Sequence, residues 1–177
     1  MVYELVDMYD PILTQKTERF DFDNPPIDPV ELFNNMKDTL VANRGVGLAC
    51  PQVGLPYSMF VVGHHSVPDE IMAVFNPTIV DYSGEEYYEE EGCLTFPGLF
   101  IKVKRHMNVR VRMAIEDGSI DTITLDGFAA RVFQHEFDHL NGILYQKRAN
   151  RYHVDQAKKQ KVKLDRKRNK NVRTAAA

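Results

Sequence analysis

Gln134-His135-Glu136-Phe137-Asp138-His139 is where the sequence concentrates side chains that can do chemistry. On a helix of 3.6 residues per turn, His135 and His139 project from one face a turn apart, so two imidazoles can grip one metal ion. Glu136 stands beside the first of them. It can take a proton from a water that the metal activates without ligating the metal itself, which is general-base chemistry in metal-assisted hydrolysis. A catalytic metal site wants three protein ligands and one open position. Downstream of His139 stands His153; upstream, Cys93 lies in Glu91-Gly92-Cys93-Leu94-Thr95 and taken alone reads as a small buried hydrophobe. A third stretch, Gly45-Val46-Gly47-Leu48-Ala49-Cys50-Pro51-Gln52, has two glycines that let backbone approach another group and an amide that suits a neutral donor. A phosphate loop is its competitor, but the Lys-Ser/Thr that such a loop needs does not follow.

The elements that must hold these residues are written in caps, periods and turns. Asp28 as N-cap, Pro29 at the first helical position and Glu31 three residues on predict a helix start. Leu32, Phe33, Met36 and Leu40 fall on its buried face, and Gly45 is its expected stop. The run 57–62 (YSMFVV) reads as a buried strand, and 73–80 (AVFNPTIV) as a strand broken at Pro77. Residues 85–91 (EEYYEEE) are acidic, with two tyrosines. Met107, Val109, Val111, Met113 and Ile115 alternate with polar neighbours, and Asp117-Gly118 predicts a hairpin turn into 120–125. The second helix, which carries the histidine pair, is expected from about Asp126 to Leu140, stopped by Asn141-Gly142. Helix, several short strands, helix is an α+β order rather than alternating βαβ units.

With 177 residues, 44% hydrophobic and 27% charged, the chain has the size and balance of one buried domain. No run approaches the ~18–20 apolar residues of a membrane span. The acidic start MVYELVDMYD lacks the features of a targeting peptide, and two cysteines do not make a disulfide framework, so a cytoplasmic protein is expected. Charge is unevenly spread. The chain's net charge is -3, yet residues 158–173 hold nine basic side chains against Asp165 alone. This pattern divides the chain into a catalytic body, residues 1–148, and a basic tail, 149–177, whose partner is polyanionic.

GVGLACPQ (45–52), EGCLT (91–95) and QHEFDHLNG (134–142) together resemble three motifs of the peptide deformylases, GxGLAAxQ, EGCLS and QHExDHLxG, in the same order. The resemblance spans roughly residues 8–145. It implies short antiparallel strands around a central metal-binding helix, and removal of the formyl group from the N-terminal methionine of nascent peptides. It further implies that Cys93, His135 and His139 ligate one divalent metal, Fe(II) in the family, with Zn(II), Ni(II) or Co(II) able to occupy the site. Glu136 is then the acid/base, and Gln52 with the Leu94 backbone N–H binds the oxyanion. Gly45, Val46 and Gly47 are expected along the substrate.

Counting back along the helix from His135, Phe128 and Val132 face the methionine side chain. Arg131 is expected at the pocket rim, paired with substrate carbonyls or a local acid. Glu91 is read as structural, with Arg105 as its partner, and Gln134 and Asp138 as acceptors for the ligand imidazoles. Cys50, in place of the motif's second alanine, brings a second thiol towards the metal. Family members with a C-terminal helix bind the ribosome, so the basic tail is expected on ribosomal RNA and the enzyme is expected as a monomer. Two rival readings differ in class. A zincin-like protease would want its third ligand downstream and leaves Cys93 and Gln52 unexplained. A non-catalytic binding protein would make the tail the function.

Overall fold

In the computed structural model, which describes residues 1–175 and side chains as far as residue 167, five antiparallel strands pair in sequence order. They are β1 (Gly47–Ala49), β2 (Met59–Val62), β3 (Met72–Glu91), β4 (Ile101–Ala114) and β5 (Ile120–Asp126). Helix α1 (Pro29–Ala42) precedes the sheet, α2 (Gly127–Leu140) packs on it, and α3 (Tyr145–Arg148) and α4 (Arg151–Ala175) follow. The α+β reading holds, although β3 and β4 are far longer than the short strands expected.

The start of α1 is capped as its sequence indicates: the Asp28 carboxylate accepts from the Glu31 N–H at 2.8 Å, with Pro29 at the first helical position. Leu32, Met36 and Leu40 are fully buried with Met59, Val61 and Phe75. The helix stops at Ala42, and it is Arg44, not Gly45, that takes the left-handed conformation (φ 55°). Gly45 has another use, since a Cβ there would press on Leu40 and Leu94.

Pro77 does not end the strand. β3 continues for 20 residues because its register against β4 slips between Phe75 and Thr78, so the proline's missing N–H falls in a bulge. Asn76 makes the slip possible. It adopts φ 48°, and its side chain clasps Phe20, accepting from its N–H at 2.8 Å and donating to its carbonyl at 2.9 Å. The EEYYEEE segment is the second half of β3, paired from Glu86↔His106 to Glu91↔Ile101. It lies mostly exposed on both faces, which is why alternation was missing from its sequence. In β4 the expected alternation buries Val109, Val111 and Met113, while Met107 falls opposite the slip between Ser83 and Glu86 and stays exposed. The Asp117-Gly118 turn joins β4 to β5, with Gly118 at φ 82°.

α2 lies against β1, β2, β4 and β5. Ala130, Phe133 and Leu140 fill a core with Ala49, Phe60, Val74, Val109 and Val111. In a smaller core, Val154 and Ala157 of α4 pack with Phe96, Leu99, Ile101, Val103 and Tyr145. The side chains of Arg168, Lys170 and Arg173, and Ala176 and Ala177 altogether, lie outside the described residues. No helix among the described residues is long and apolar enough to cross a membrane.

Replacing Asn76 removes both Phe20 hydrogen bonds and leaves in the left-handed region a residue whose side chain offers no hydrogen bond to hold it there. In Asn76→Ala the side chain is a bare methyl, so the cost is the loss of these bonds and of asparagine's tolerance of the left-handed region, about 2–3 kcal/mol. Urea unfolding should show a lower midpoint at unchanged slope.

Candidate metal centre

The connection from β3 to β4, residues 92–100, brings Cys93 against the face of α2 that carries the two histidines. Cys93 Sγ lies 3.4 Å from His139 Nε2, and one donor atom from each of Cys93, His135 and His139 falls within 4.8 Å of the others. One sulfur and two imidazoles suit a borderline-soft divalent cation. The buried Glu136 Oε2 beside them has no hydrogen-bond partner among the described residues, as expected of a carboxylate that a metal-held water would engage. His153, the downstream alternative, turns its Nδ1 to the Lys102 carbonyl instead.

Charge in the site is organised by Glu91. Its Oε2 accepts from His135 Nδ1 at 3.0 Å, which leaves His135 Nε2 as the nitrogen free for a metal. Arg105 grips both carboxylate oxygens, Nε to Oε1 at 2.9 Å and Nη2 to Oε2 at 3.0 Å, and Arg131 Nη1 reaches Oε1 at 2.7 Å. Burial works against the Glu91 charge, but hydrogen bonds from His135 and Arg105, with the Arg105 charge, hold it at about 2. Burial likewise opposes charge on His135, yet its bonds to Cys93 and Glu91 and the Glu136 charge push it up to about 10. The Cys93 thiol is raised by burial and lowered more strongly by His139 and His135, ending well below its ordinary value. Glu136 is pushed up to about 7 by burial, against the pull of the two histidines.

Gln134 and Asp138, expected to steady the imidazoles, do something else. Gln134 ties α2 to β4, accepting from the His106 N–H and donating to the His106 and Ala130 carbonyls. Asp138 is buried and binds Arg105 and Arg148. The imidazole partner is Glu91, whose link to Arg105 the sequence suggested but whose link to His135 it did not.

Gln52 is buried, and its amide is oriented from both ends. Oε1 accepts from the Ala49 N–H at 2.8 Å; Nε2 points to Cys93 Sγ at 3.4 Å and to Thr95 Oγ1 at 3.1 Å. Thr95, two residues past the cysteine, was not singled out from sequence. Gly47 supplies the close approach that its type suggested, because a Cβ there would overlap the Glu136 carboxylate. A pocket of about 460 Å³ opens over these groups, lined in part by Gly45, Val46, Leu94, Phe128 and Val132. Phe128 stands at its mouth, 62% exposed, and Val132 is half-buried in its wall.

Two expectations are corrected. Arg131 is not at an exposed rim: it is 2% exposed and lines the floor of the pocket, held by Glu91 and by the Val103 and Tyr87 carbonyls, each at 3.0 Å. Its local acid is real. Cys50 faces away from the metal group into the α1 core, its Sγ 3.7 Å from the Met59 sulfur, with burial pushing its thiol up.

A histidine pair and a buried carboxylate on one helix, completed by a loop cysteine and framed by an antiparallel sheet, define a mononuclear metallohydrolase. Comparison with known proteins narrows the class. A family model described as polypeptide deformylase matches residues 2–155. A peptide deformylase of Carboxydothermus hydrogenoformans is 40% identical over 149 residues, 84% of this chain and 94% of its own. One of Christiangramia forsetii is 38% identical over 159 residues, 82% of this chain and 80% of its own. Among solved structures, the Thermus thermophilus deformylase superposes with TM-score 0.81 at 33% identity, covering 98% of this chain and 97% of its own. The Met-Ala-Ser-bound deformylase of Acinetobacter baumannii does so with TM-score 0.76 at 29% identity, covering 84% and 98%. The chain belongs to the polypeptide deformylase family: it is a metal-dependent hydrolase that removes the N-formyl group from the methionine of nascent polypeptides.

Because a methyl group at position 47 must displace Glu136, Gly47→Ala should lower kcat/KM for a formyl-Met peptide at least 10-fold. The metal content and the thermal midpoint should stay near wild type. An unchanged rate would show that the approach of Gly47 to Glu136 is not critical.

Proposed function

We propose that formate release takes place where Cys93, His135 and His139 converge, with these three as metal ligands and Glu136 as the acid/base. The observation that carries this reading is the meeting of three donor atoms within 4.8 Å beside a buried carboxylate oxygen that nothing else engages. A divalent cation held there supplies Lewis acidity, making water nucleophilic near neutral pH and offsetting charge that grows on the formyl oxygen. Fe(II) is the family's usual ion, and the mixed sulfur and nitrogen donors also accept Zn(II), Ni(II) or Co(II).

The protein's own groups divide the remaining work. Glu136 takes the proton of the attacking water and passes it to the departing amine, so the new N-terminus leaves neutral. The Gln52 amide, with its oxygen occupied by Ala49, can only donate, and it shares the developing oxyanion with the Leu94 backbone N–H. Gly45, Val46 and Gly47 border the peptide, and Phe128 and Val132 border the methionine side chain. The A. baumannii relative binds Met-Ala-Ser, a peptide that begins with methionine.

Outside the pocket, we read the basic surface of α4 as a contact for ribosomal RNA, in a cytoplasmic monomer that works where nascent chains emerge. Lys158, Lys159, Lys163 and Arg166 border one shallow depression of that helix, and neutralising several phosphates gives salt-sensitive, sequence-independent attachment.

Anaerobically prepared protein should release formate from formyl-Met-Ala-Ser and leave internal peptide bonds intact. Glu136→Gln should keep the metal and lose about 10²-fold or more in kcat, and Gln52→Ala about 10²–10³-fold. Metal retained with activity intact in Glu136→Gln would remove Glu136 from its role. Deleting 158–177 leaves Ala157 in place. It should abolish cosedimentation with ribosomes at low salt and spare turnover of short peptides; equal cosedimentation would sink the RNA contact.

A further inference from the structure

Behind the candidate ligands, in the floor of the pocket, lies a layer of buried charge, and Arg131 is its least expected member. It is a fully buried arginine, 2% exposed, one helical turn before the histidine pair. Its guanidinium spans three strand positions: Nη1 donates to Glu91 Oε1 at 2.7 Å and to the Val103 carbonyl at 3.0 Å, and Nη2 donates to the Tyr87 carbonyl at 3.0 Å. The Tyr87 ring covers one face, 4.4 Å from the guanidinium carbon. Burying an arginine this completely is costly unless its partners are well placed, and an exposed helix position would have avoided the cost.

What sets this arginine apart from a simple strand clamp is the carboxylate it holds. Glu91 has two oxygens and four donors. Arg131 Nη1 and Arg105 Nε share Oε1, while Arg105 Nη2 and His135 Nδ1 share Oε2. Arg105 alone could rock the carboxylate about its own fork. Arg131, arriving from α2 and thus from the element that carries His135, fixes the carboxylate relative to that helix. An ionised Glu91 only accepts, so His135 Nδ1 must donate to it, and the imidazole's tautomer and tilt follow from where Oε2 stands.

We propose that Arg131 is a positioning residue for the metal centre: it acts through Glu91 to orient His135, and it is not a contact for substrate. The inference rests on the reading of Cys93, His135 and His139 as ligands, and the experiment separates the two. Zn(II) affinity is measured by chelator competition on wild type, Arg131→Met, Arg131→Lys, Glu91→Gln and the Arg131→Met/Glu91→Gln pair, with circular dichroism of each metal-free protein. A wild type that binds no Zn(II) stoichiometrically overturns the ligand assignment.

If wild type binds, Arg131→Met should weaken Zn(II) binding about 10–100-fold, the range typical when the partner of a ligand imidazole is lost. Arg131→Lys, which keeps a cation but not the fork, should fall between. In the Glu91→Gln background the further loss from Arg131→Met should shrink to within about two-fold, since both changes cut one route. At saturating Zn(II), KM for formyl-Met-Ala-Ser should stay within two-fold of wild type. Unchanged Zn(II) affinity with a lowered thermal midpoint makes Arg131 a clamp only, and a raised KM with unchanged affinity makes it a substrate residue. Either result overturns the proposal, as does full additivity in the double variant. Should Arg131→Met fail to fold, Arg131→Lys carries the same test with a smaller expected loss.

Discussion

The Glu91 carboxylate is the contact on which the rest of the centre depends. It ends the longest strand of the sheet, it receives two buried guanidinium groups, and it faces His135 of the helix that packs on that sheet. Removing a single partner from such a group leaves the others as unpaired charges in a water-poor interior, where the penalty is several times larger than the gain from any one pair. Strand, helix and ligand are therefore set by one shared requirement: every charge in the layer must find its opposite. The row continues through Arg105 to Asp138 and on to the partly exposed Arg148, so the interior charge is anchored at the surface as well.

Above this layer the pocket is made from groups with little freedom. Gln52 is fixed at its oxygen by Ala49 and at its nitrogen by Thr95, so its donor direction is settled before a substrate arrives. Preorganised donors cost no rearrangement as negative charge develops, which is the main advantage of such a site over water. The Cys93 segment is steadied from behind in the same spirit. The Tyr145 hydroxyl donates to the Leu99 carbonyl at 2.7 Å, and Phe96, Val154 and Ala157 fill the space below. The C-terminal helix thus has an apolar base that packs on the 92–100 segment and a basic part that follows it.

Much of this was legible in the residues. Asp28, Pro29 and Glu31 specify a helix start through local hydrogen bonds, and the alternation in Val109, Val111 and Met113 specifies a half-buried strand, because both signals arise within a few residues. The metal group was legible because three motifs carry it. Pro77 misled because a bulge is agreed between two strands, and nothing within 73–80 reveals the slip in its partner. The EEYYEEE strand is solvated on both faces and carries no period. Arg131 was read as a rim residue from its place one turn before His135 on the helix. Its burial follows from acids that lie 40 residues away in sequence, at Glu91, and come near only when the sheet and helix dock. The packing of Ala157 was hidden for the same reason, behind the run of lysines that follows it.

The connection between β3 and β4 has a bearing on how the chain behaves before it is complete. Cys93 sits where two long strands meet, and His139 follows 46 residues later. A cation joining them closes that stretch of chain in the manner of a cross-link. For a covalent bridge of such a span, the loss of freedom in the unfolded chain amounts to roughly 4 kcal/mol. A metal at this position is then a staple as well as a reagent: it favours the folded chain by narrowing what the unfolded one can explore, and the enclosed segment, all of β4, β5 and most of α2, gains most from its presence.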